Sequence, residues 1–144
     1  MKVNRLLSQK SGGDVETISV HETLGDVIKR LAEKKIGALV VTGGDGEISG
    51  IISERDIVRQ IASSGPSCLT SAVKDTMTRK VVSAAPDDDG DALLSLMTKG
   101  RFRHMPVVED GRLVGILSIG DVVKAKIDAI TAENEAMESM IRGH

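Results

Sequence analysis

The 144-residue chain predicts an α/β (α+β) fold built from two pseudo-symmetric β-α-β-β-α units that share one core, followed by a long C-terminal helix. A duplicated segment is the first observation behind this. Ser49-Gly50-Ile51-Ile52-Ser53-Glu54-Arg55-Asp56-Ile57-Val58 returns as Val114-Gly115-Ile116-Leu117-Ser118-Ile119-Gly120-Asp121-Val122-Val123. Each copy runs through strand-like residues to Gly-Ile-(Ile/Leu)-Ser, passes two residues, and reaches Asp ahead of an apolar helical pattern. The second observation is that the repeat extends upstream. Thr17 corresponds to Ser83 and Ile36 to Phe102 at an offset of 66 (83 − 17), and the offset becomes 65 (111 − 46) after one extra residue in the first copy's glycine-rich turn. Loops absorb such insertions readily. The third is size: a lone unit of roughly 50 residues buries too little surface to be comfortably stable, so the halves are expected to share a core. Doubled units fold as pseudo-symmetric pairs, whose interfaces are natural places for ligand clefts.

Residues 1–14 are polar apart from Val3, Leu6 and Leu7, and Gly12-Gly13 separates them from the first unit. Val15 to Val20 alternates as a short strand. Leu24, Val27, Ile28, Leu31 and Ala32 have the spacing of an amphipathic helix, with Glu22 and Thr23 near its start. Ala38 to Thr42 reads as a buried strand, joined through Gly43-Gly44-Asp45-Gly46 to a partner strand ending at Ser53. A helix follows and fades at Ser63-Ser64-Gly65-Pro66. The second unit repeats this order, with a strand at 81–85, a helix near 88–99, a strand at 104–108, a turn at Glu109-Asp110-Gly111, a strand at 112–118 and a helix from about 119. That last helix carries a stripe of Val123, Ile127, Ile130, Met137 and Ile141, suited either to the body of the domain or to another subunit. The expected division is 1–66 for the first motif with its N-terminal extension, 67–80 for a linker, and 81–144 for the second motif with the C-terminal helix, together forming one domain.

Composition removes several classes of function. Phe102 is the only aromatic residue, so no base-stacking platform for single-stranded nucleic acid can be assembled. A net charge of −2 gives no broad attraction for nucleic acid or an anionic membrane. Cys68 stands alone and cannot form an intrachain disulfide, which fits a reducing compartment. The chain has no apolar run long enough to span a bilayer and no signal peptide, so a cytoplasmic protein is expected.

The chemistry concentrates at the two Ser-x-x-Asp junctions. A first helical turn leaves backbone N–H groups unpaired and carries partial positive charge, so a phosphate can be held there with help from the Ser hydroxyl. An Asp in that turn offers two carboxylate oxygens to the neighbouring hydroxyls of a ribose. The plain alternative is that Ser53 and Ser118 are helix caps and Asp56 and Asp121 are charges favourable to the dipole. Duplication in register favours the site. Arg103-His104-Met105-Pro106-Val107 is the second feature: Arg can fork onto phosphate and His adds a donor, whereas the first unit has Gly37-Ala38 in that place.

With these motifs in hand, the chain resembles a tandem pair of cystathionine-beta-synthase (CBS) motifs, the Bateman module, over about residues 14–128, and looks like a stand-alone bacterial protein of that family. The resemblance implies two related clefts that hold adenosine phosphates. In the main cleft Asp121 would take the ribose hydroxyls and Ser118, Arg103 and His104 the phosphate, flanked by Met105 and Pro106. Thr17, Ile36, Gly37 and Ala38 would border the base. A weaker second cleft would use Ser53, Arg55 and Asp56, with Ser83 and Phe102 toward the base. The implied function is a regulatory adenine-nucleotide-binding module without catalysis, sensing AMP, ADP, ATP or NAD(H), and assembled as a homodimer.

Sharper alternatives do not fit. Counting from Asp87, a calcium loop would need Gly at Ala92 and Glu at Thr98. Gly43-Gly44-Asp45-Gly46 lacks the Gly-Lys-Ser/Thr ending of a phosphate loop. His21, His104 and His144 are too scattered for zinc, and no nucleophile with a His and carboxylate is visible. A structural or assembly protein with vestigial clefts, and a small nucleotide-acting enzyme, remain the other two readings.

Overall fold

The computed structural model describes residues 1–10 and 15–142. Gly12-Gly13 and His144 lie outside the described residues. The chain divides into two compact units, one of residues 15–82 and one joining residues 1–10 to residues 83–142. In chain order, α1 (Val3–Gln9) belongs to the second of these units.

The first-repeat unit runs β1 (Thr17–Ser19), α2 (Leu24–Lys34), β2 (Ala38–Thr42), β3 (Ile48–Ser53) and α3 (Glu54–Ser64). β1 pairs in parallel with β2, Ile18 opposite Val41, and β2 pairs antiparallel with β3, Ala38 opposite Ser53. α2 forms because Leu24, Val27 and Leu31 recur on one face and are buried. It ends at Lys35, held in the left-handed conformation at φ 55°. The Ile36 N–H then donates to the Leu31 carbonyl, delivering Ile36-Gly37 to the start of β2. Residues 67–80, expected to be a linker, form two short 3₁₀ helices, Pro66–Thr70 and Val73–Asp75, and bury Cys68, Val73 and Met77 in the unit's core. Thr78 then bridges Ile51 through two backbone hydrogen bonds of 2.9 and 3.0 Å.

The second-repeat unit contains α4 (Gly90–Gly100), β4 (His104–Glu109), β5 (Arg112–Ser118) and α5 (Ile119–Ile141). The strand expected at 81–85 contracts to one parallel bridge, Ala84 with Val107, which is the Ile18–Val41 pair displaced by 66 residues (84 − 18 and 107 − 41). Asp88 Oδ2 accepts the Ala85 N–H at 2.8 Å, and Pro86 has no N–H to continue a ladder. α4 ends as α2 does, with Arg101 left-handed at φ 57° and Phe102 donating to Met97. β4 and β5 are joined by a two-residue turn at Asp110 (φ 51°) and Gly111 (φ 76°), the positive-φ pair that a twisted hairpin requires.

Sequence order attaches the N-terminal extension to the first repeat, whereas its contacts attach it to the second. Val3 and Leu6 are buried among Leu93, Met97, Met105, Leu117 and Val122. Two N–H groups at the start of α1, which a helix cannot satisfy internally, donate to the carbonyls of Asp88 and Pro86 at 2.9 Å. The Asp87-Asp88-Asp89 run thus serves as a docking strap for this helix.

Buried side chains gather in two clusters, one inside each unit. Each unit imports apolar residues from outside its own repeat, Cys68, Val73 and Met77 in one and Val3 and Leu6 in the other. That import raises the buried area above what a bare repeat could reach. On α5, Val122 and Ala125 are buried, while Val123, Ile127, Ile130, Met137 and Ile141 are exposed.

The imported segments also explain the repeated glycine. A Cβ on Gly50 would lie 2.6 Å from the Thr78 carbonyl oxygen, and one on Gly115 would lie 2.5 Å from Leu7 Cδ2. Backbone cannot yield as a leucine side chain can. Overpacking costs about 1–3 kcal/mol, so Gly50→Ala is expected at the upper end of that range and Gly115→Ala at the lower. Urea unfolding of the two variants checks the order; equal losses would contradict the strap geometry.

Candidate functional site

The two duplicated junctions have the same local architecture. Ser118 ends β5 in extended backbone and caps α5: its Oγ accepts the Asp121 N–H at 3.1 Å, and Asp121 Oδ2 accepts the Ser118 N–H at 2.8 Å. Ser53 and Asp56 make the same reciprocal pair, at 3.3 and 2.9 Å, at the start of α3. Thr23 and Asp26 make it a third time, at 3.2 and 3.0 Å, at the start of α2. The plain helix-cap reading is therefore correct for both Ser-x-x-Asp segments. It fixes each carboxylate at its helix start and does not by itself require a ligand.

The surroundings separate Asp56 and Asp121 from Asp26. In the second-repeat unit Lys10, at the end of α1, places Nζ 2.9 Å from Asp121 Oδ2 and 2.7 Å from the Ile116 carbonyl oxygen, to which it donates. Both side chains are about one-third exposed, at 34% and 28%. In the first-repeat unit the Thr78 hydroxyl donates to Asp56 Oδ1 at 3.5 Å. Each carboxylate is thus met by a strap from outside its repeat, cationic at Asp121 and neutral at Asp56. Nothing in the repeat pattern pointed to Lys10, because its segment has no counterpart at the 66-residue offset.

Asp121 also lines a cavity of about 700 Å³ between α1 and α5, together with Arg5, Gln9, Lys10, Lys124 and Asp128. Arg103 and His104 meet the start of α5 from the neighbouring strand: His104 pairs with Ser118, and the Ile119 N–H donates to the Arg103 carbonyl at 2.8 Å. The second-repeat unit therefore brings the backbone of Arg103 and His104 alongside the Ser118–Asp121 cap. In the first-repeat unit the equivalent place holds Gly37 and Ala38, with Ala38 opposite Ser53 and Glu54 donating to the Gly37 carbonyl at 3.0 Å.

The remaining expected site residues are placed as follows. Met105 and Pro106 are buried in β4, opposite Leu117 and Ile116. Arg55 is exposed on the first turn of α3. Thr17 is half-buried, its carbonyl accepting from the Arg30 guanidinium at 2.8 Å. Ile36 and Gly37 line a second cavity, of about 570 Å³, between α2 and α3. Ser83 is exposed beside the Ala84 bridge, and Phe102 packs against the second unit's core. Among the described residues no group of three His, Cys, Asp or Glu side chains is placed to hold a metal ion, and no helix is long and apolar enough to cross a membrane.

Burial is the largest influence on the Asp121 carboxyl and pushes its pKa up, but the Ser118 amide and the Lys10 ammonium together outweigh it and hold the group below its ordinary value of 3.8. A carboxyl depressed in the folded state contributes stability above its unfolded pKa and loses that contribution as pH falls through the folded value. The wild-type protein should therefore lose stability below about pH 4, and Asp121→Asn should show a shallower acid limb. Urea midpoints between pH 3 and pH 6 measure this; superimposable acid limbs would contradict it.

Residues 11–63 and 73–128 each match the CBS domain family. The crystal structure of a CBS-domain containing protein from Agrobacterium tumefaciens is 46% identical, with a TM-score of 0.84, covering 88% of this chain and 99% of that one. A mitochondrial CBS domain-containing protein of Arabidopsis thaliana is 36% identical over 126 residues, 85% of this chain but 61% of that protein, so the chain spans less than two thirds of this relative. A CBS domain protein from Pyrobaculum aerophilum, complexed with AMP, is 26% identical with a TM-score of 0.74, covering 84% of this chain and 89% of that one. A CBS domain pair in complex with 5′-methylthioadenosine and S-adenosyl-L-methionine is 25% identical with a TM-score of 0.75, covering 90% and 98%. The chain belongs to the CBS domain family and carries its motif twice in tandem.

Proposed function

We propose that this protein is a regulatory module that binds an adenosine phosphate at the Asp121 end of its second repeat. The observation that carries this is the Ser118–Asp121 cap at the start of α5, with the backbone of Arg103 and His104 alongside it and Asp121 also lining a cavity that Arg5, Lys10 and Lys124 make cationic. A capped carboxylate is held rigid and can accept from both hydroxyls of a ribose, as charge-assisted hydrogen bonds. The helix start and the Arg103 guanidinium favour a phosphate on the same sugar. AMP in the Pyrobaculum relative is in keeping with this ligand class. Asp56, with Gly37 and Ala38 in place of the basic pair, is the weaker counterpart. AMP, ADP, ATP and NAD(H) all carry the required group. The ligand would regulate through a difference in affinity between two conformations, with no chemistry on it.

A second reading, an assembly module whose clefts bind nothing, draws on the fact that Asp121 is already paired with Lys10. Titration of AMP separates the two. AMP should bind wild-type protein and raise its melting temperature by mass action. Asp121→Asn keeps an acceptor for the Ser118 amide but removes the charge that holds the ribose. It should weaken AMP by about 30-fold, the equivalent of about 2 kcal/mol, whereas Asp56→Asn should cost much less. A larger loss for Asp56→Asn would reverse the ranking, and no binding at all would favour the assembly reading.

The proposal includes a homodimer, for which the exposed stripe from Val123 to Ile141 on α5 supplies apolar surface. Sedimentation at micromolar concentration should show a dimer, and Ile127→Glu with Ile130→Glu should return it to monomer. A wild-type monomer would contradict this assignment.

A further inference from the structure

We infer that Lys10 is an exchangeable cation that makes the Asp121 site select a phosphorylated ligand over a neutral nucleoside. This rests on the reading of Asp121 as the ribose acceptor. Lys10 is paired with the carboxylate assigned to the ribose: its ammonium lies 2.9 Å from Asp121 Oδ2. It is also anchored to the Ile116 carbonyl at 2.7 Å. Both side chains are about one-third exposed, so once the pair is broken the ammonium keeps only the Ile116 carbonyl and water.

A neutral nucleoside whose two ribose hydroxyls take both Asp121 oxygens competes with Lys10 for Oδ2 and gives it nothing in return. A nucleotide brings its own anion. Its 5′-phosphate hangs from the ribose that settles on Asp121, within the swing of a four-carbon lysine stem. The ammonium can therefore pass from carboxylate to phosphate without losing a partner.

The cavity around the pair supports this exchange. Arg5, Lys10 and Lys124 line it against the two acids Asp121 and Asp128. Once Lys10 and Asp121 are paired, Arg5 and Lys124 still outnumber Asp128. Among the described residues neither the Arg5 guanidinium nor the Lys124 ammonium has a hydrogen-bond or ion-pair partner. The excess is cationic, on the cavity that Lys10 itself lines. The first repeat offers the contrast: its strap supplies the Thr78 hydroxyl to Asp56 at 3.5 Å, a neutral group that cannot discriminate by charge. Among the described residues, Lys10 is thus the strap cation in direct contact with one of the two carboxylates.

Calorimetric titration of AMP and adenosine against wild-type protein, Lys10→Met and Lys10→Arg tests the inference. Wild-type protein should prefer AMP. Lys10→Met should weaken AMP by about tenfold while leaving adenosine unchanged or tighter, because the carboxylate is uncovered. Lys10→Arg, which keeps the charge, should retain the preference. If Lys10→Met proves unstable, Lys10→Gln supplies the same comparison. Equal shifts for both ligands, or none, would overturn the role of Lys10 while leaving the Asp121 reading intact. Failure of wild-type protein to bind either ligand would instead overturn the Asp121 reading, and the inference with it.

Discussion

The reciprocal hydrogen bonds between Ser118 and Asp121 are the constraint on which the rest depends. They satisfy an N–H that the first turn of α5 would otherwise leave unpaired, and so stabilise the helix. The same bonds immobilise a carboxylate at the positive end of that helix. On the proposed reading, stability and ligand binding are thus vested in one side chain. The first of these uses is needed at Thr23-Asp26 and Ser53-Asp56 as well, which is why the motif alone is weak evidence for a ligand. What sets Asp121 apart is its company: Arg103 and His104 at the start of the adjoining strand, and Lys10 at the end of α1.

The straps resolve a difficulty of size. A bare repeat has too little apolar surface to close its own core, and each unit gains what it lacks from a segment outside its repeat. Residues 66–78 cover the first repeat and α1 covers the second. The glycines of the two Gly-Ile-(Ile/Leu)-Ser segments exist to admit those straps, since a side chain at Gly50 or Gly115 would collide with them. Because a strap reaches its repeat next to the Ser-x-x-Asp junction, it also brings a polar group to the carboxylate. The two straps have unrelated sequences, so the two carboxylates acquire different partners. Asymmetry between nearly identical repeats arises from the segments that do not repeat.

Much of this fold was legible in the sequence because it rests on local rules. The duplication announced two like units, apolar spacing of 3 and 4 marked α2, and Glu109-Asp110-Gly111 marked a turn between the last two strands. The junctions at Ser53 and Ser118 were legible both as caps and as candidate sites, and sequence alone could not choose between these because one geometry serves both. Long-range facts were hidden. Polar-looking residues 1–10 contain only four apolar side chains, Met1 included, yet Val3 and Leu6 anchor a helix. Residues 67–80 read as a linker because their buried groups, Cys68, Val73 and Met77, follow neither a helical nor a strand period. The shortening of the second unit's first strand depends on an Asp88 side chain bonding backwards to Ala85. Lys10 could not be found from pattern at all, since what matters is the carboxylate it meets more than a hundred residues away.

The most direct test of the account is a crystal structure of the protein grown with AMP. The account predicts both ribose hydroxyls within hydrogen-bonding distance of the Asp121 carboxylate, with the Ser118 cap unchanged. Adenosine density elsewhere, with Asp121 bonded only to Ser118 and Lys10, would contradict it.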